Sequence, residues 1–117
     1  MHKFKDLKIY QKALHFTKLT RSTTKKFPKE ELFVLASQFK RATDSIVLNI
    51  AEGAGNTSRK EFSHFLDYSI CSGFECVGCL DIALENEFLP KTVYDEIAFT
   101  VNEIIAMLYG LQKSFKN

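Results

Sequence analysis

The amino-acid sequence predicts an all-α protein that folds as an up-and-down antiparallel four-helix bundle, in a single domain covering residues 1–117. Apolar residues recur at spacings of three and four over four long stretches, which is the periodicity of helices with one buried face. Only two prolines and five glycines are present, too few for the many turns of a β-sandwich or barrel. Short connections between successive helices make them antiparallel neighbours.

The first helix is expected from about Asp6 to Lys26, and Phe27-Pro28 should end it because proline disfavours helical geometry in the residue before it. Its buried stripe comprises Ile9, Ala13, Phe16, Thr20 and Phe27. The second helix is expected to begin at Pro28. It should close at Gly53 and Gly55, since glycine tolerates the left-handed conformation of helix C-termini. Its stripe comprises Leu32, Leu35, Phe39, Ala42, Ile46 and Ile50.

Ser58 and Glu61 have the spacing of a capping box, which predicts the start of the third helix. This helix should end near Phe88-Leu89-Pro90, and the fourth should begin around Thr92. Core positions of the third are Phe62, Phe65, Leu66, Ser69, Ser72, Cys76, Leu80 and Ala83. Those of the fourth are Tyr94, Ile97, Val101, Ile104, Leu108, Leu111 and Phe115.

Charge is distributed unevenly along the chain. The first 29 residues contain nine Lys or Arg and one acid, a net charge of +8, whereas the whole chain carries +2 and the remainder therefore −6. Lys and Arg neutralise phosphates and release counterions, which gives sequence-independent binding of nucleic acid. We select as candidate phosphate contacts Lys5, Lys8, Lys12, Lys18, Arg21 and Lys25.

Other uses of this basic helix remain open at the level of sequence. A solvated face that offsets acidic surfaces elsewhere explains the charge equally well. A protein-interaction module without nucleic-acid binding, in which the helix meets an acidic partner, is the main alternative function. A small-molecule or metal-binding bundle is a third class, recognisable by a ligand in the purified protein.

A line of polar residues runs along the second predicted helix at spacings of three and four, so its members share one face. They are Gln38, Arg41, Ser45, Asn49 and Glu52. The line is either a solvated face or a partly buried network that fixes helix register or subunit pairing. Ser and Asn are poor formers of helix interiors, and their presence favours the network.

The antiparallel arrangement places possible partners for this line on the third helix. Gln38 and Arg41 should face Ser72 and Glu75, so we predict a buried or half-buried Arg41–Glu75 ion pair. Glu52 should face the start of the third helix, near Arg59. Together with Glu75, the five polar residues are assigned a structural role.

No catalytic or metal-binding motif emerges. Cys76-Val77-Gly78-Cys79 is one Cys-x-x-Cys, but zinc needs three or four ligands, and cysteines within helices are more often small buried hydrophobes. Cys71, Cys76 and Cys79 are an odd number without a secretory signal, which favours a reducing cytoplasm over a disulfide framework. No run of about 18 apolar residues predicts a membrane helix. We therefore expect a non-enzyme that carries no metal or cofactor.

Particular residues resemble a known family over nearly the whole chain. The matching segments are Phe4-Lys5-Asp6-Leu7, Tyr10-Gln11-Lys12-Ala13, Phe27-Pro28-Lys29-Glu30-Glu31, Ser37-Gln38, Arg41-Ala42, Ser45-Ile46, Asn49-Ile50-Ala51-Glu52-Gly53, Lys60-Glu61-Phe62 and Phe65-Leu66, with Leu35, Gly55, Ser58, Ser72 and Glu75 between and after them. In these positions the sequence resembles the four-helix-bundle family of 23S rRNA-intervening sequence proteins, also called S23 ribosomal proteins. It departs from them at Cys71, where the family usually has glycine before the serine.

The resemblance implies properties that the residues alone do not indicate. Family members form homopentamers around a central axis, and some are encoded within intervening sequences of ribosomal RNA genes. Related accessory proteins of diversity-generating retroelements engage nucleic acid and a reverse transcriptase. The resemblance thus implies self-assembly, RNA or DNA, and a reverse transcriptase or other protein as partners, with no established catalysis.

Overall fold

A computed structural model describes residues 3–56 and 58–116, and it confirms the predicted all-α four-helix bundle. The helices are α1 (Lys8–Thr24), α2 (Leu35–Ala54), α3 (Arg59–Glu85) and α4 (Lys91–Ser114). Short 3-10 segments occupy Lys3–Asp6 and Lys29–Glu31, and the described residues contain no strand. The bundle is a rod with extents of 45 × 21 × 20 Å. Its helices alternate in direction because the connections are short.

The core follows the predicted apolar stripes. Phe16 of α1, Phe39 of α2, Leu66 and Leu80 of α3, and Ile104 of α4 are all almost fully buried. Six residues predicted for the core are only half-buried: Leu32, Phe62, Phe65, Tyr94, Leu111 and Phe115. Most of them lie in the first or last turns of α3 and α4, where the ends of the rod have no further layer to cover them.

The start of α2 differs from the prediction. A 3-10 segment follows Pro28, and the α-helix begins only at Leu35. Val34 has φ −120° and ψ −95°, outside the helical region, so the backbone breaks there. Phe33 is left 93% exposed. Pro28 therefore precedes a short 3-10 segment of the connection, and it does not mark the start of α2.

The connection between α2 and α3 keeps its predicted cap but not its predicted glycine geometry. Ser58 Oγ accepts a hydrogen bond from the Glu61 N–H at 3.0 Å, which confirms the cap. No glycine among the described residues has a positive φ, so Gly53 and Gly55 do not close α2 in the way expected. Gly53 lies inside the helix, where a Cβ atom would stand 2.8 Å from Phe65 Cβ. Close approach of α3 is the reason that this position suits glycine.

The end of α3 comes earlier than expected, at Glu85. Glu87 adopts a left-handed φ of 61°. The Phe88 N–H then donates to the Ala83 carbonyl and the Glu87 N–H to the Leu84 carbonyl, which is the Schellman arrangement. Glycine usually takes this position, and because Glu87 takes it here, the end of α3 was predicted from Pro90 and placed a few residues too late.

Candidate nucleic-acid interface

The predicted phosphate-binding side chains lie on the outer side of α1 and on the 3-10 segment before it. Lys5, Lys8, Lys18 and Lys25 are exposed, and none of them forms an ion pair within the described part of the chain. From Lys8 to Lys25 the helix rises about 26 Å. Positive charge is thus presented to solvent along α1, with Lys8 beside the groove to α4 and with Lys18 and Lys25 beside the groove to α2.

The other two candidates are held by acidic side chains of neighbouring helices. Lys12 Nζ lies 2.8 Å from Glu103 Oε1 of α4. Arg21 donates through both terminal nitrogens to the two oxygens of Asp44 on α2, at 2.8 and 2.7 Å. The hydrogen bond to Asp44 raises the pKa of Arg21 above its ordinary value. These pairs reduce the charge available to a phosphate and brace α1 against its neighbours.

The structure adds basic residues that the sequence analysis missed. Arg59 and Lys60 at the start of α3 and Lys116 after α4 line a cleft of about 450 Å³, together with Glu61 and Asp67. The alternation of helix direction puts this cleft at the same end of the rod as Lys5 and Lys8. That alternation was the signal available from sequence, because it determines which helix ends meet.

The polar line of α2 is joined to α3 by its middle members. Asn49 Nδ2 donates to Ser45 Oγ at 3.0 Å, and Ser72 Oγ donates to Ser45 Oγ at 2.9 Å. Gln38 Nε2 donates to Glu75 Oε2 at a longer 3.4 Å. Ser45 and Asn49 are half-buried and Ser72 is buried. These contacts set the register of α2 against α3 close to the one expected.

The predicted Arg41–Glu75 ion pair is wrong. Both side chains are exposed, and no ion pair among residues 3–56 and 58–116 includes Arg41 or Glu75. Gln38, three residues before Arg41, is the side chain that reaches Glu75. Glu52 is also exposed and makes no ion pair with Arg59 in this part of the chain. Water solvates the outer members of the line, while its inner members bond to α3.

The cysteines differ in environment. Cys76 and Cys79 are buried, and burial raises the pKa of Cys76 to about 12 and that of Cys79 to about 11. Both therefore remain neutral thiols at physiological pH, packed as apolar side chains. Cys71 is exposed on the other side of α3. Within the described residues, no three His, Cys, Asp or Glu side chains are grouped closely enough to hold a metal ion.

None of the described helices is both long and apolar enough to cross a membrane. His64 Nε2 lies 2.9 Å from the Tyr68 hydroxyl, and both side chains are exposed on α3.

Comparison with known proteins agrees with this architecture. The chain resembles the solved structure of a protein of unknown function from the S23 ribosomal protein family of Bacteroides thetaiotaomicron VPI-5482, with a TM-score of 0.83 and 24% identity, covering 90% of this chain and 98% of the other. No curated protein matches the sequence. The profile of the 23S rRNA-intervening sequence proteins matches residues 5–110. The chain therefore belongs to the 23S rRNA-intervening sequence protein family.

Proposed function

We propose that this protein is a non-catalytic homo-oligomeric helical bundle, a pentamer by family resemblance, that binds RNA or DNA through the basic side of α1. The observation that carries the proposal is the row of exposed lysines, Lys5, Lys8, Lys18 and Lys25, in a segment of net charge +8. Lys12 and Arg21 contribute less to phosphate binding, because each already pairs with a carboxylate. The protein works in a reducing compartment, the cytoplasm, with its three cysteines free.

Three further features support this function. The family is named after intervening sequences of 23S ribosomal RNA, which makes RNA a candidate partner. Arg59, Lys60 and Lys116 extend positive charge around the end of the rod. Repetition of the basic side in several subunits multiplies the local field and raises the rate of encounter with a polyanion. A reverse transcriptase or another protein bound to the same nucleic acid is the accessory partner that the family resemblance implies.

The test is binding of a labelled single-stranded RNA and a DNA duplex as a function of salt. For four phosphates neutralised on a duplex, log K should fall with log salt with a slope of about −3.6. The double variant Lys5→Glu/Lys8→Glu should bind at least tenfold more weakly at low salt and show a shallower slope. RNA and DNA titrations together identify the preferred nucleic acid.

A matched control is Lys40→Glu/Lys91→Glu, which changes net charge by the same amount near the starts of α2 and α4, at the opposite end of the rod from Lys5 and Lys8. It should bind nearly as well as the unmodified protein. Equal loss in both variants would mean that only total charge matters, and undetectable binding at low salt would refute the proposal. Displacement of RNA by an acidic protein, with higher affinity for the protein, would favour the alternative of a protein-interaction module.

A further inference from the structure

A groove between α1 and α2 has an apolar floor that phosphate binding does not explain. Leu14 and Leu48 are 44% and 63% exposed, and with Val47 they line an open groove of about 640 Å³. Lys18 and Lys25 stand at its rim. Phosphates are bound by cations and need no apolar surface. Exposed leucines within a basic rim are instead the character of a protein-binding groove.

The outer face of α4 has the opposite character. Phe99 is 70% exposed. Asp95 and Glu96 lie four and three residues before Phe99, and Glu103 lies four residues after it. Residues at these spacings are neighbours of Phe99 on the helix surface. Asp95 pairs with Lys91 and Glu103 with Lys12, yet both carboxylates stay substantially exposed. Glu96 makes no ion pair within the described residues. Phe99 is thus a projecting aromatic ring with an acidic collar.

We infer that Phe99 and its acidic collar on one copy of the chain dock into the α1–α2 groove of a second copy. The groove offers leucines beside Lys18 and Lys25 of α1, while Asp44 on its α2 wall is neutralised by Arg21. The collar offers an aromatic ring among carboxylates, so the two surfaces are complementary in charge and in apolar character. An aromatic side chain buries roughly 200 Å² when it is enclosed. The inference rests on the homo-oligomeric part of the proposed function and names the surfaces that build the oligomer.

The two surfaces lie on different sides of one bundle. The groove lies between α1 and α2, whereas α4 packs against α1 and α3. A single copy can therefore use both surfaces at once, with a different neighbour on each. Contacts of this head-to-tail kind close into rings when the rotation between copies permits. Lys18 and Lys25 at the groove would then face carboxylates. Nucleic acid would be bound by Lys5 and Lys8 together with the cleft of Arg59, Lys60 and Lys116 at the same end of the rod.

The test uses two surface variants and their mixture, studied by sedimentation velocity. Phe99→Glu removes the projecting ring and Leu48→Glu places a charge on the groove floor, so each variant alone should sediment as a monomer. Mixed in equal amounts, they should form a 1:1 dimer and nothing larger. In that dimer Phe99 of the Leu48→Glu chain fills the intact groove of the Phe99→Glu chain, and the two remaining surfaces are both disabled.

Phe74→Glu is the matched control, because Phe74 is 53% exposed on α3 and lies in neither surface. It should assemble like the unmodified protein, and circular dichroism should show full helix content for every variant. Unchanged oligomers of Phe99→Glu and Leu48→Glu would overturn these surfaces while leaving homo-oligomerisation intact. A monomeric unmodified protein would overturn both. A groove that captures only an acidic helix of another protein would overturn the docking inference. Nucleic-acid binding by α1 is tested independently of either result.

Discussion

Where α2 meets α3, small residues let the two backbones come together, whereas where α1 meets α4, long side chains keep the helices apart. Ser69 Oγ of α3 donates to the Ile46 carbonyl of α2 at 2.9 Å, and Gly53 leaves no room for a Cβ atom beside Phe65. Between α1 and α4 there is instead an open groove of about 770 Å³. The Lys12–Glu103 ion pair links its two walls.

The α2–α3 contact therefore stabilises the fold, whereas the α1–α4 contact forms part of the accessible surface. The α2–α3 contact contains buried hydroxyls whose hydrogen bonds specify one register, and every buried side-chain N or O atom of the described residues has a partner. The α1–α4 contact presents charged side chains that water and other molecules can reach. We expect substitutions at the first contact to change stability, and substitutions at the second to change binding.

Thiol chemistry should show the largest contrast. Cys76 Sγ lies 3.6 Å from Thr43 Oγ1 inside the α2–α3 contact. Labelling of this thiol therefore requires the contact to open. At pH 8 a maleimide should modify the exposed Cys71 at least a hundredfold faster than Cys76 or Cys79, as read by intact mass. Rapid modification of three thiols in the folded protein would show that the contact opens readily.

The same thiols make stability depend on alkaline pH. Their ordinary pKa of 9.0 rises to about 12 for Cys76 and about 11 for Cys79 in the folded protein. Between pH 9 and the raised pKa of each thiol, the unfolded chain releases a proton that the folded chain keeps, so unfolding is favoured as pH rises. The two thiols make their full contribution to stability below pH 9, and this contribution decreases as the pH rises from 9 to about 12. Urea midpoints measured across this range, in the protein and in Cys76→Ala, check the prediction.

Gly53→Ala should destabilise the bundle by about 2 kcal/mol, because the new methyl group meets the Phe65 Cβ and the Phe62 backbone, which cannot easily move. Gly78→Ala is the control. Nothing lies within 4 Å of a Cβ at this exposed helical position, so alanine should stabilise the helix by about 0.5–1 kcal/mol. Urea unfolding of the two variants should move the midpoint in opposite directions. Equal shifts would mean that α2 and α3 do not approach so closely.

Ser69→Ala should cost about 1 kcal/mol, because the hydroxyl that bonds to the Ile46 carbonyl is fully buried and a buried hydrogen bond contributes about that much. Ser114→Ala provides the comparison, since Ser114 is exposed at the end of α4 and bonds only within its own turn. Thermal unfolding should leave the Ser114 variant unchanged. A similar loss in both would mean that the buried hydrogen bond of Ser69 contributes no more than the exposed one of Ser114.

The smallest effect belongs to the α1–α4 contact. Lys12→Met and Glu103→Gln, combined in a double-mutant cycle, should give a coupling energy below about 1 kcal/mol, because both side chains are partly exposed and solvent screens the pair. Addition of salt should reduce that coupling further. A coupling energy several times larger would mean that the α1–α4 contact also stabilises the fold, which contradicts the difference between the two contacts.

Much of this architecture follows from apolar spacing. The stripes through Phe16, Phe39, Leu66 and Ile104 predicted the four helices, and Ser58 predicted the start of α3, because burial and capping depend on residues near in sequence. The start of α2 was misjudged because Pro28 followed by acidic residues also suits the short 3-10 segment Lys29–Glu31 that precedes the helix. Only packing against the other helices decides which apolar residue is covered.

The candidate interface was less accessible to sequence reasoning. The lysines of α1 are visible as a run of charge, but Asp44 and Glu103 could not be assigned to Arg21 and Lys12 without the rotation of each helix about its axis. The mistaken Arg41–Glu75 pair has the same origin. A shift of one turn decides whether Gln38 or Arg41 reaches Glu75, and residue spacing alone does not resolve a shift of that size.

Amide hydrogen exchange with and without bound RNA tests the central claim most directly, because it reports every helix at once. RNA should slow exchange in α1 and at the basic end near Arg59, Lys60 and Lys116, while the slow amides of α2 and α3 around Ile46 and Ser69 stay unchanged. Protection centred on the α2–α3 contact, or no protection in α1 under conditions of saturated binding, would contradict the assignment of binding to α1.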